Sequence, residues 1–240
     1  MSAFSDLMAE VLDSCQQAPE PLVERHIRNA VIAFCSRSLL LRKTLDPISI
    51  IADQALYQLN PPENREIIHV HSAQIGDDRP LIEKSEDFFD LEWRDPVVLK
   101  WDEFATDDNG NPLSIGTDWR QYTQNRPAFY FIDRTENTYR MRLVGIPDAS
   151  LTDTMVVSVV LKPTRTATEV DDWLLNDNFQ CLLNGAKGRM LELPNRPWTD
   201  LKLAGYHNGL FEEKTEEARM RGQRSHVRND QTNRRVKAYV

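Results

Sequence analysis

Two closely spaced histidines are residues whose side chains could bind a metal ion. His69 and His71 flank Val70, and on a β-strand positions i and i+2 point to the same face. Both rings could therefore bind one metal ion, with a third ligand from Asp77 or Asp78. Nothing in the sequence marks that third ligand, so surface histidines on a strand are favoured over a metal centre. A metal-dependent hydrolase built on this pair is the least favoured function.

Motifs of nucleophilic and nucleotide-dependent catalysis are missing from the sequence. It contains no GxSxG elbow, no GxGxxG turn and no GxxxxGK[ST] loop. The run Gly185-Ala186-Lys187-Gly188 has the composition of a phosphate-binding loop, but no strand precedes it, and a helix–turn or mid-helix break is expected there. The sequence therefore predicts no catalytic residue, no metal and no cofactor, and a protein that is not an enzyme.

The cysteines do not predict a disulfide framework. Cys15, Cys35 and Cys181 are odd in number and show no CxxC spacing. Such cysteines are typical of small buried apolar residues in a protein made in a reducing compartment. The first residues lack the basic and apolar regions of a signal peptide, and no stretch approaches the roughly 20 apolar residues of a membrane helix. We therefore expect synthesis in the cytoplasm and no membrane contact.

Charge is distributed unevenly along the 240 residues, whose formal net charge is −8. Residues 201–240 contain nine basic and five acidic side chains, so this segment carries +4 and the first 200 residues carry −12. An acidic body is a poor non-specific binder of DNA, because cationic side chains supply that affinity. A basic C-terminal segment suits either nucleic acid or an acidic protein surface.

The N-terminal region is predicted to form a helical hairpin. Residues 2–15 make a short helix, and a stronger helix runs from Leu22 to about Leu40 behind Pro19 and Pro21. Apolar residues in the stronger helix recur at steps of three and four, which is the spacing of a buried face. This predicted bundle core comprises Val23, Ile27, Ala30, Val31, Phe34 and Cys35.

The centre of the chain has the pattern of strands broken by Pro, Asp and Gly. Asn60–Asn64 is a loop by composition, Ser85 caps a short helix over 85–93, and Asn109-Gly110 marks a tight turn. The clearest strand covers 151–162 and ends at Pro163. The other predicted strands are 44–52, 55–59, 65–74, a segment after Pro80, and a hairpin formed by 128–133 and 138–143.

Helical patterns return over 169–175, over 178–190 and from Thr199 onward. The fold class is therefore predicted to be α+β, with a helical bundle built from both chain ends, a central β-rich domain, and a long projecting C-terminal helix with an extended tail. The predicted domains are a helical hairpin (1–42), a β-rich domain (43–166), a helical return (167–198), and a long helix with a basic tail (199–240).

The last helix changes character along its length. Trp198, Leu203, Leu210 and Phe211 are predicted to anchor its first half to the body, but regular apolar spacing stops after Met220. A helix is stabilised mainly by burying one face, so the distal half is predicted to project and to bind a partner. Acidic residues early in the helix and basic residues late also suit the helix dipole. The basic residues are Arg219, Arg221, Arg224, Arg228, Arg234, Arg235 and Lys237.

Both ends of the chain resemble the head-to-tail adaptor proteins of tailed phages, also called connector or tail tubular A-like proteins. At the N-terminus the resemblance lies in Ala18–Val23 followed by Ile27–Cys35, a proline-started helix that closes with a Phe-Cys pair. At the C-terminus it lies in Pro194–Asp200, with Leu203-Ala204 and Ala218-Arg219 following, a Pro-Trp opening before a long charged helix.

The resemblance implies a structural virion protein at the head–tail junction of the particle, made in the cytoplasm of the infected bacterium. Such adaptors form a closed homo-oligomeric ring of about 12 copies. The ring joins the portal protein to a downstream tail, nozzle or terminator protein. Genomic double-stranded DNA passes through the lumen without sequence-specific binding, which suits a negatively charged channel wall.

The resemblance also implies that the C-terminal segment docks on the portal. The docking residues would be Arg219, Arg221, Arg224, Arg228, Arg234, Arg235, Lys237 and Tyr239. Val236–Val240 either adds a strand to a sheet edge of the portal or is a disordered terminus. The main alternative function is a DNA-binding protein that grips phosphates with its basic C-terminal arm.

Overall fold

A computed structural model describes residues 2–76, 79–92, 123–124, 127–135, 138–147, 150 and 154–230. The fold is mixed α+β, as predicted. Its helices are α1 (Ser5–Ser14), α2 (Glu20–Ser38), α3 (Glu86–Glu92), α4 (Asp172–Leu191) and α5 (Leu201–Asp230). Its strands are β1 (Ser2–Ala3), β2 (Arg42–Thr44), β3 (Ile48–Ser49), β4 (Leu56–Leu59), β5 (Arg65–Ile75), β6 (Arg79–Glu83), β7 (Thr123–Gln124), β8 (Phe129–Thr135), β9 (Thr138–Val144), β10 (Ile146–Pro147), β11 (Thr154–Pro163) and β12 (Glu169–Val170).

The chain divides into two compact units. The first unit contains residues 1–43, 61–69 and 160–240, so both chain ends contribute to it. The second unit contains residues 44–60 and 70–159, and most of the strands lie there. The segment 61–69 joins the first unit although it lies within the predicted β-rich domain.

The two N-terminal helices form where the apolar spacing predicts them. Helix α2 begins directly after Pro19 and has a proline in its first turn. It ends at Ser38 and is followed by Leu39 in the left-handed conformation (φ 55°). Its predicted core residues Val23, Ile27, Ala30, Val31, Phe34 and Cys35 are all fully buried. Helix α1 begins at Ser5 rather than at residue 2, because Ser2 and Ala3 pair as strand β1 with β12.

The predicted helix over 169–175 is wrong at its start. Glu169 and Val170 form β12, and helix α4 begins only at Asp172. Val170 is fully buried, so these two residues gain more from pairing with β1 than from extending the helix. The predicted break before 178 appears as a kink inside α4, where Asn178 leaves helical geometry (φ −125°, ψ 20°) and donates to the Leu174 carbonyl oxygen (3.0 Å).

The strands in the middle of the chain largely follow the prediction. β8 and β9 form the predicted antiparallel hairpin, with Phe129 opposite Val144 and Thr135 opposite Thr138. Strand β5 covers the predicted 65–74, and β4 covers all of the predicted 55–59 except residue 55. The Phe88 N–H donates to the Ser85 hydroxyl oxygen (3.2 Å), which is the predicted cap of α3. The predicted strand 44–52 is wrong as one element. It is divided between β2 and β3, with Pro47, which has no N–H, in the gap.

The largest sheet has the strand order β2-β11-β5-β6-β8-β9-β4, with β3 also paired to β11. Strands β6 and β8 run parallel, whereas β5–β6, β8–β9 and β4–β9 are antiparallel. Strand β11 runs over Thr154–Pro163 and matches the clearest predicted strand, with its inward positions Met155, Val157 and Val159 fully buried. The predicted turn at Asn109-Gly110 lies outside the described residues.

Candidate assembly surface

Helix α5 starts from a tightly hydrogen-bonded turn. Asp200 caps it, because the Asp200 carboxylate accepts hydrogen bonds from the backbone N–H groups of Lys202 and Leu203, both at 3.0 Å. The Asp200 N–H donates to the Leu191 carbonyl oxygen at the end of α4 (3.1 Å). The direction in which α5 leaves α4 is therefore fixed by the backbone and not by an apolar anchor alone.

Helices α4 and α5 approach closely at two glycines. A Cβ atom at Gly185 would lie 2.6 Å from the Phe211 ring, and one at Gly188 would overlap the Asn208 side chain. Both glycines lie inside α4 and face α5, so the Gly185–Gly188 run is a helix–helix contact and not a phosphate-binding loop. Phe211 is 3% exposed, and the Arg189 guanidinium lies 5.3 Å from its ring centroid.

Burial along α5 continues further than the sequence predicted. Ala204, Phe211, Thr215, Ala218 and Gly222 are buried at steps of three, four and seven. At Gly222 a Cβ atom would lie 2.8 Å from Leu40, just after α2. Regular apolar spacing stops after Met220, yet Gly222 is buried close to Leu40, because this distal contact is made by a small residue that carries little apolar signal. The packed part of α5 extends to Gly222.

The predicted anchors of α5 differ in how deeply they are buried. Phe211 is buried, while Trp198 and Leu210 are half-buried. The Trp198 indole N–H is shielded and has no hydrogen-bond partner among the described residues. Leu203 is 41% exposed, so it gives the helix little anchoring within the single chain. Ala204 and Ala218, which were not among the predicted anchors, are buried instead.

Two of the predicted docking arginines lie in the packed part of α5, and the others follow it. Arg219 pairs with Glu216 (3.5 Å), and both side chains are about half exposed. Arg221 donates to the Asn178 amide oxygen at the kink of α4 (3.2 Å), so it also ties α5 to its own unit. Arg224 and Arg228 continue the helix as positions on its backbone. Arg234, Arg235, Lys237 and Tyr239 lie outside the described residues.

Part of the outward side of α5 is apolar and open. Leu201, Tyr206 and Met220 are 71%, 62% and 50% exposed. A Cβ atom at Gly205 or Gly209 would meet nothing within 4 Å, in contrast to the three glycines at contacts. Large exposed apolar side chains next to glycines that have no neighbour form a surface that another protein chain could approach closely.

Hydrogen bonding and burial shift the pKa values of several groups on and near α5. Arg37 donates to the Glu212 carboxylate (2.8 Å), and this hydrogen bond lowers the pKa of Glu212 while it raises that of Arg37. Burial, followed by the charge of Lys187, lowers the pKa of His207, whose Nδ1 lies 2.9 Å from the Asn184 amide oxygen. Burial, followed by the charges of Arg25 and Arg189, lowers the pKa of His26 on α2.

Among the described residues, those with possible metal or nucleophilic chemistry do not come together in one site. His69 is half-buried and His71 exposed on β5, and no group of three potential metal ligands occurs in the described part of the chain. The third ligands considered, Asp77 and Asp78, lie outside that part. Cys15, Cys35 and Cys181 are buried free thiols, and burial raises the pKa of Cys35 to about 12.

The sequence profile of the SU10 adaptor protein family matches residues 2–236 of the chain. The chain belongs to the SU10 adaptor protein family. The resemblance to phage head-to-tail adaptors, which the sequence carries at its two ends, is thereby confirmed over nearly the whole length. No curated protein matches the chain.

Family membership makes the chain a phage adaptor, which is a structural type of protein rather than an enzyme. As an adaptor it is a virion component that associates with other head or tail proteins of the phage. Across the described residues, none of the helices combines the length and the apolarity that crossing a bilayer requires.

Proposed function

We propose that this adaptor acts at the head–tail junction, as one subunit of a ring of about 12 copies between the portal and the tail. The portal protein binds on one side, and a downstream tail, nozzle or terminator protein binds on the other. Genomic double-stranded DNA passes through the lumen. The net charge of −12 on the first 200 residues supports this role, because a negative wall repels phosphate and leaves DNA free to slide.

The observation that carries the proposal is the change of charge where the packing of α5 ends. Residues 201–222 contain four basic and four acidic side chains, so the packed part is neutral. Residues 223–240 contain five basic side chains and one acidic one, so the whole excess of +4 lies beyond Gly222. Helix packing requires no such charge. A concentrated basic segment beyond the last intramolecular contact suits an acidic protein partner.

The proposed portal contact uses the basic residues at and beyond this point. Arg219 and Arg221 border it, since Arg221 is already hydrogen-bonded to Asn178 within the subunit. The part of α5 that precedes these residues is held by the turn that joins it to α4 and by packing on α2, whose buried residues include Phe34 and Cys35. The distal residues that we propose for docking are Arg224, Arg228, Arg234, Arg235, Lys237 and Tyr239.

Capture of the adaptor by isolated portal rings tests the proposal. Replacing the four distal arginines by glutamine should weaken capture by at least about tenfold, because several interfacial charge pairs are lost together. The four arginines are Arg224, Arg228, Arg234 and Arg235. A control variant removes the same charge from exposed residues elsewhere, namely Arg25, Lys43, Arg165 and Arg196. Equal loss of capture in both variants would refute specific docking by the C-terminal segment.

Truncation tests where the docking segment begins. Deletion of 224–240 should leave the unfolding temperature close to that of the full chain while capture is lost. Deletion of 219–240 should lower the unfolding temperature as well, because it removes the Gly222–Leu40 contact and the Arg221–Asn178 hydrogen bond. If both deletions unfolded at the same temperature as the full chain, the packed part of α5 would end earlier than Gly222.

The DNA-binding alternative predicts a different dependence on salt. A basic arm that neutralises phosphates loses DNA affinity with a log–log slope of about −0.9 per contact. The adaptor is expected to show weak DNA binding that the distal arginine variant leaves unchanged. Electrophoretic mobility shifts with duplex DNA at several salt concentrations measure this slope.

A further inference from the structure

The outward side of α5 carries four residues at regular spacing. Lys202, Tyr206, Gly209 and Glu213 follow one another at steps of four, three and four residues, and all four are exposed. We refer to them as the α5 stripe. The buried residues of α5 lie on the opposite side, because two residues turn a helix by about 200° and separate Tyr206 from Ala204. Alternating steps of four and three are the spacing of a helix face that packs along a second helix.

The centre of the α5 stripe combines a large exposed side chain with an open glycine. Tyr206 is 62% exposed. A Cβ atom at Gly209 would meet nothing within 4 Å among the described residues, so the packing of α5 on its own subunit does not require a glycine there. Glycine destabilises a helix relative to alanine, but it lets another chain approach the backbone closely. The aromatic ring of a second helix fits such a position.

The two ends of the α5 stripe carry opposite charges. Lys202 lies at one end and Glu213 at the other, and neither forms an ion pair in the described part of the chain. The neighbouring acidic residues of α5 are already paired, namely Glu212 with Arg37, Glu216 with Arg219 and Glu217 with Lys214. The charges of the stripe are therefore available to a partner whose charges run in the opposite order.

We propose that the α5 stripe binds the α5 stripe of a second copy of this chain, with the two helices antiparallel. Lys202 and Glu213 lie equally far from the middle of the stripe, and so do Tyr206 and Gly209. A two-fold axis at this point therefore places Lys202 of each copy opposite Glu213 of the other. It also places the Tyr206 ring of each copy over Gly209 of the other. The stripe is thus complementary to itself in both charge and shape.

The charges at its ends fix the direction of the pair. Two parallel helices in register would place Lys202 against Lys202 and Glu213 against Glu213, and both contacts are repulsive. They would also place the two Tyr206 rings against each other and leave the space at Gly209 unfilled. The antiparallel arrangement replaces every one of these contacts by a favourable one.

The pair is a state of the free adaptor and is separate from the proposed ring. A two-fold contact uses the same face of both copies and is closed, so it adds no third copy, whereas a ring needs two different faces on each subunit. The contact extends over about three helical turns, which places it among small, weak and reversible interfaces. Weak pairing lets a subunit leave the pair when it joins the particle. The inference therefore does not rest on the proposed function.

Charge reversal in the full chain, followed by sedimentation equilibrium at low ionic strength, tests the inference. The unchanged chain is expected to form dimers as its concentration is raised. Lys202→Glu and Glu213→Lys should each weaken dimerisation by at least about tenfold, because each makes both end contacts of the pair repulsive. A mixture of the two variants should regain the dissociation constant of the unchanged chain to within about threefold, because both end contacts of a mixed pair join opposite charges.

Two control variants separate specific pairing from general effects. Glu10→Lys reverses an exposed charge on α1 in the same unit, and it should change the dissociation constant by less than about twofold. Met220 is exposed on the same side of α5 but lies beyond the stripe. Tyr206→Ser should therefore weaken dimerisation by at least about tenfold, while Met220→Ser should change it by less than about threefold.

Three outcomes would overturn the inference. The first is an unchanged chain that stays monomeric up to its highest soluble concentration. The second is equal weakening of dimerisation by Glu10→Lys and Glu213→Lys, which means that net charge and not the stripe controls association. The third is a mixture of the two stripe variants that stays monomeric, since antiparallel pairing requires the mixed pair to form. Far-UV circular dichroism of each variant verifies that the subunit itself is folded.

Discussion

Replacing Gly185 by alanine places a methyl group into the closest contact between helices α4 and α5. The new Cβ atom would lie 2.6 and 2.7 Å from two carbons of the Phe211 ring. That ring is 3% exposed, so it has little room to move away. The same substitution at Gly205 or Gly209 meets nothing within 4 Å. One chemical change is thus made at helical positions whose surroundings differ.

The sign of the stability change is expected to differ between these sites. Alanine favours a helix over glycine by about 1 kcal/mol, so Gly205→Ala and Gly209→Ala should each stabilise the isolated subunit by about 0.5–1 kcal/mol. At Gly185 the same gain is opposed by overpacking, which costs about 1–3 kcal/mol and here requires the ring to shift. The net effect expected for Gly185→Ala is a destabilisation of up to about 2 kcal/mol, which is the cost of overpacking less the gain in helix propensity.

Thermal and urea unfolding, followed by far-UV circular dichroism, measure these differences. For a chain of this size each 1 kcal/mol moves the unfolding temperature by about 2–4 °C. Phe211→Leu should partly rescue Gly185→Ala, with a coupling free energy of about 1 kcal/mol in a double-mutant cycle. A stabilising Gly185→Ala, or additive effects of the two substitutions, would refute the reasoning that Gly185 is required by the approach of Phe211.

Two further predictions concern buried charge. Burial is the main cause that lowers the pKa values of His26 and His207 in the folded chain. As the pH falls below about 6.5, the histidine pKa of the unfolded chain, the unfolded chain therefore binds more protons than the folded chain. The free energy of unfolding, measured with urea, should therefore decrease as the pH is lowered from about 7.5 to about 5.5. The double variant His26→Gln with His207→Gln should show a smaller decrease, and an unchanged decrease contradicts this. Arg65, whose side chain is 6% exposed, pairs with Asp171 (3.1 Å), so Arg65→Ala should destabilise by about 3–5 kcal/mol. Arg37→Ala breaks an exposed pair and should cost no more than about 1 kcal/mol, and similar losses for both would contradict this contrast.

Most of the elements could be predicted from local pattern. The 3.6-residue spacing of α2 and the alternation in β5, β8, β9 and β11 require burial of one face, and each of these elements forms within a few residues of its expected bounds. The errors occur where the pattern was weak. The sequence predicted Glu169 and Val170 as the start of a helix. They form a strand because they pair with Ser2 and Ala3, which are far away in the sequence.

The packing of α5 within its own unit was predicted less well, because small residues give almost no hydrophobic signal. Alanine, threonine and glycine at 204, 215, 218 and 222 add little hydrophobicity, yet they allow α5 to lie close to α4 and to Leu40. A search for small residues at steps of three and four would have found this contact. Leu203 had the stronger apolar signal and is 41% exposed.

The sequence by itself determined the mixed α+β class, the main helices and strands, the resemblance to phage adaptors and the separation of charge, because spacing and composition act locally. Among the described residues, tertiary structure decided where α5 stops packing and which glycines are contacts. Those depend on the distance between residues far apart in the chain. No local pattern encodes that distance, since it is set by the joint packing of many side chains.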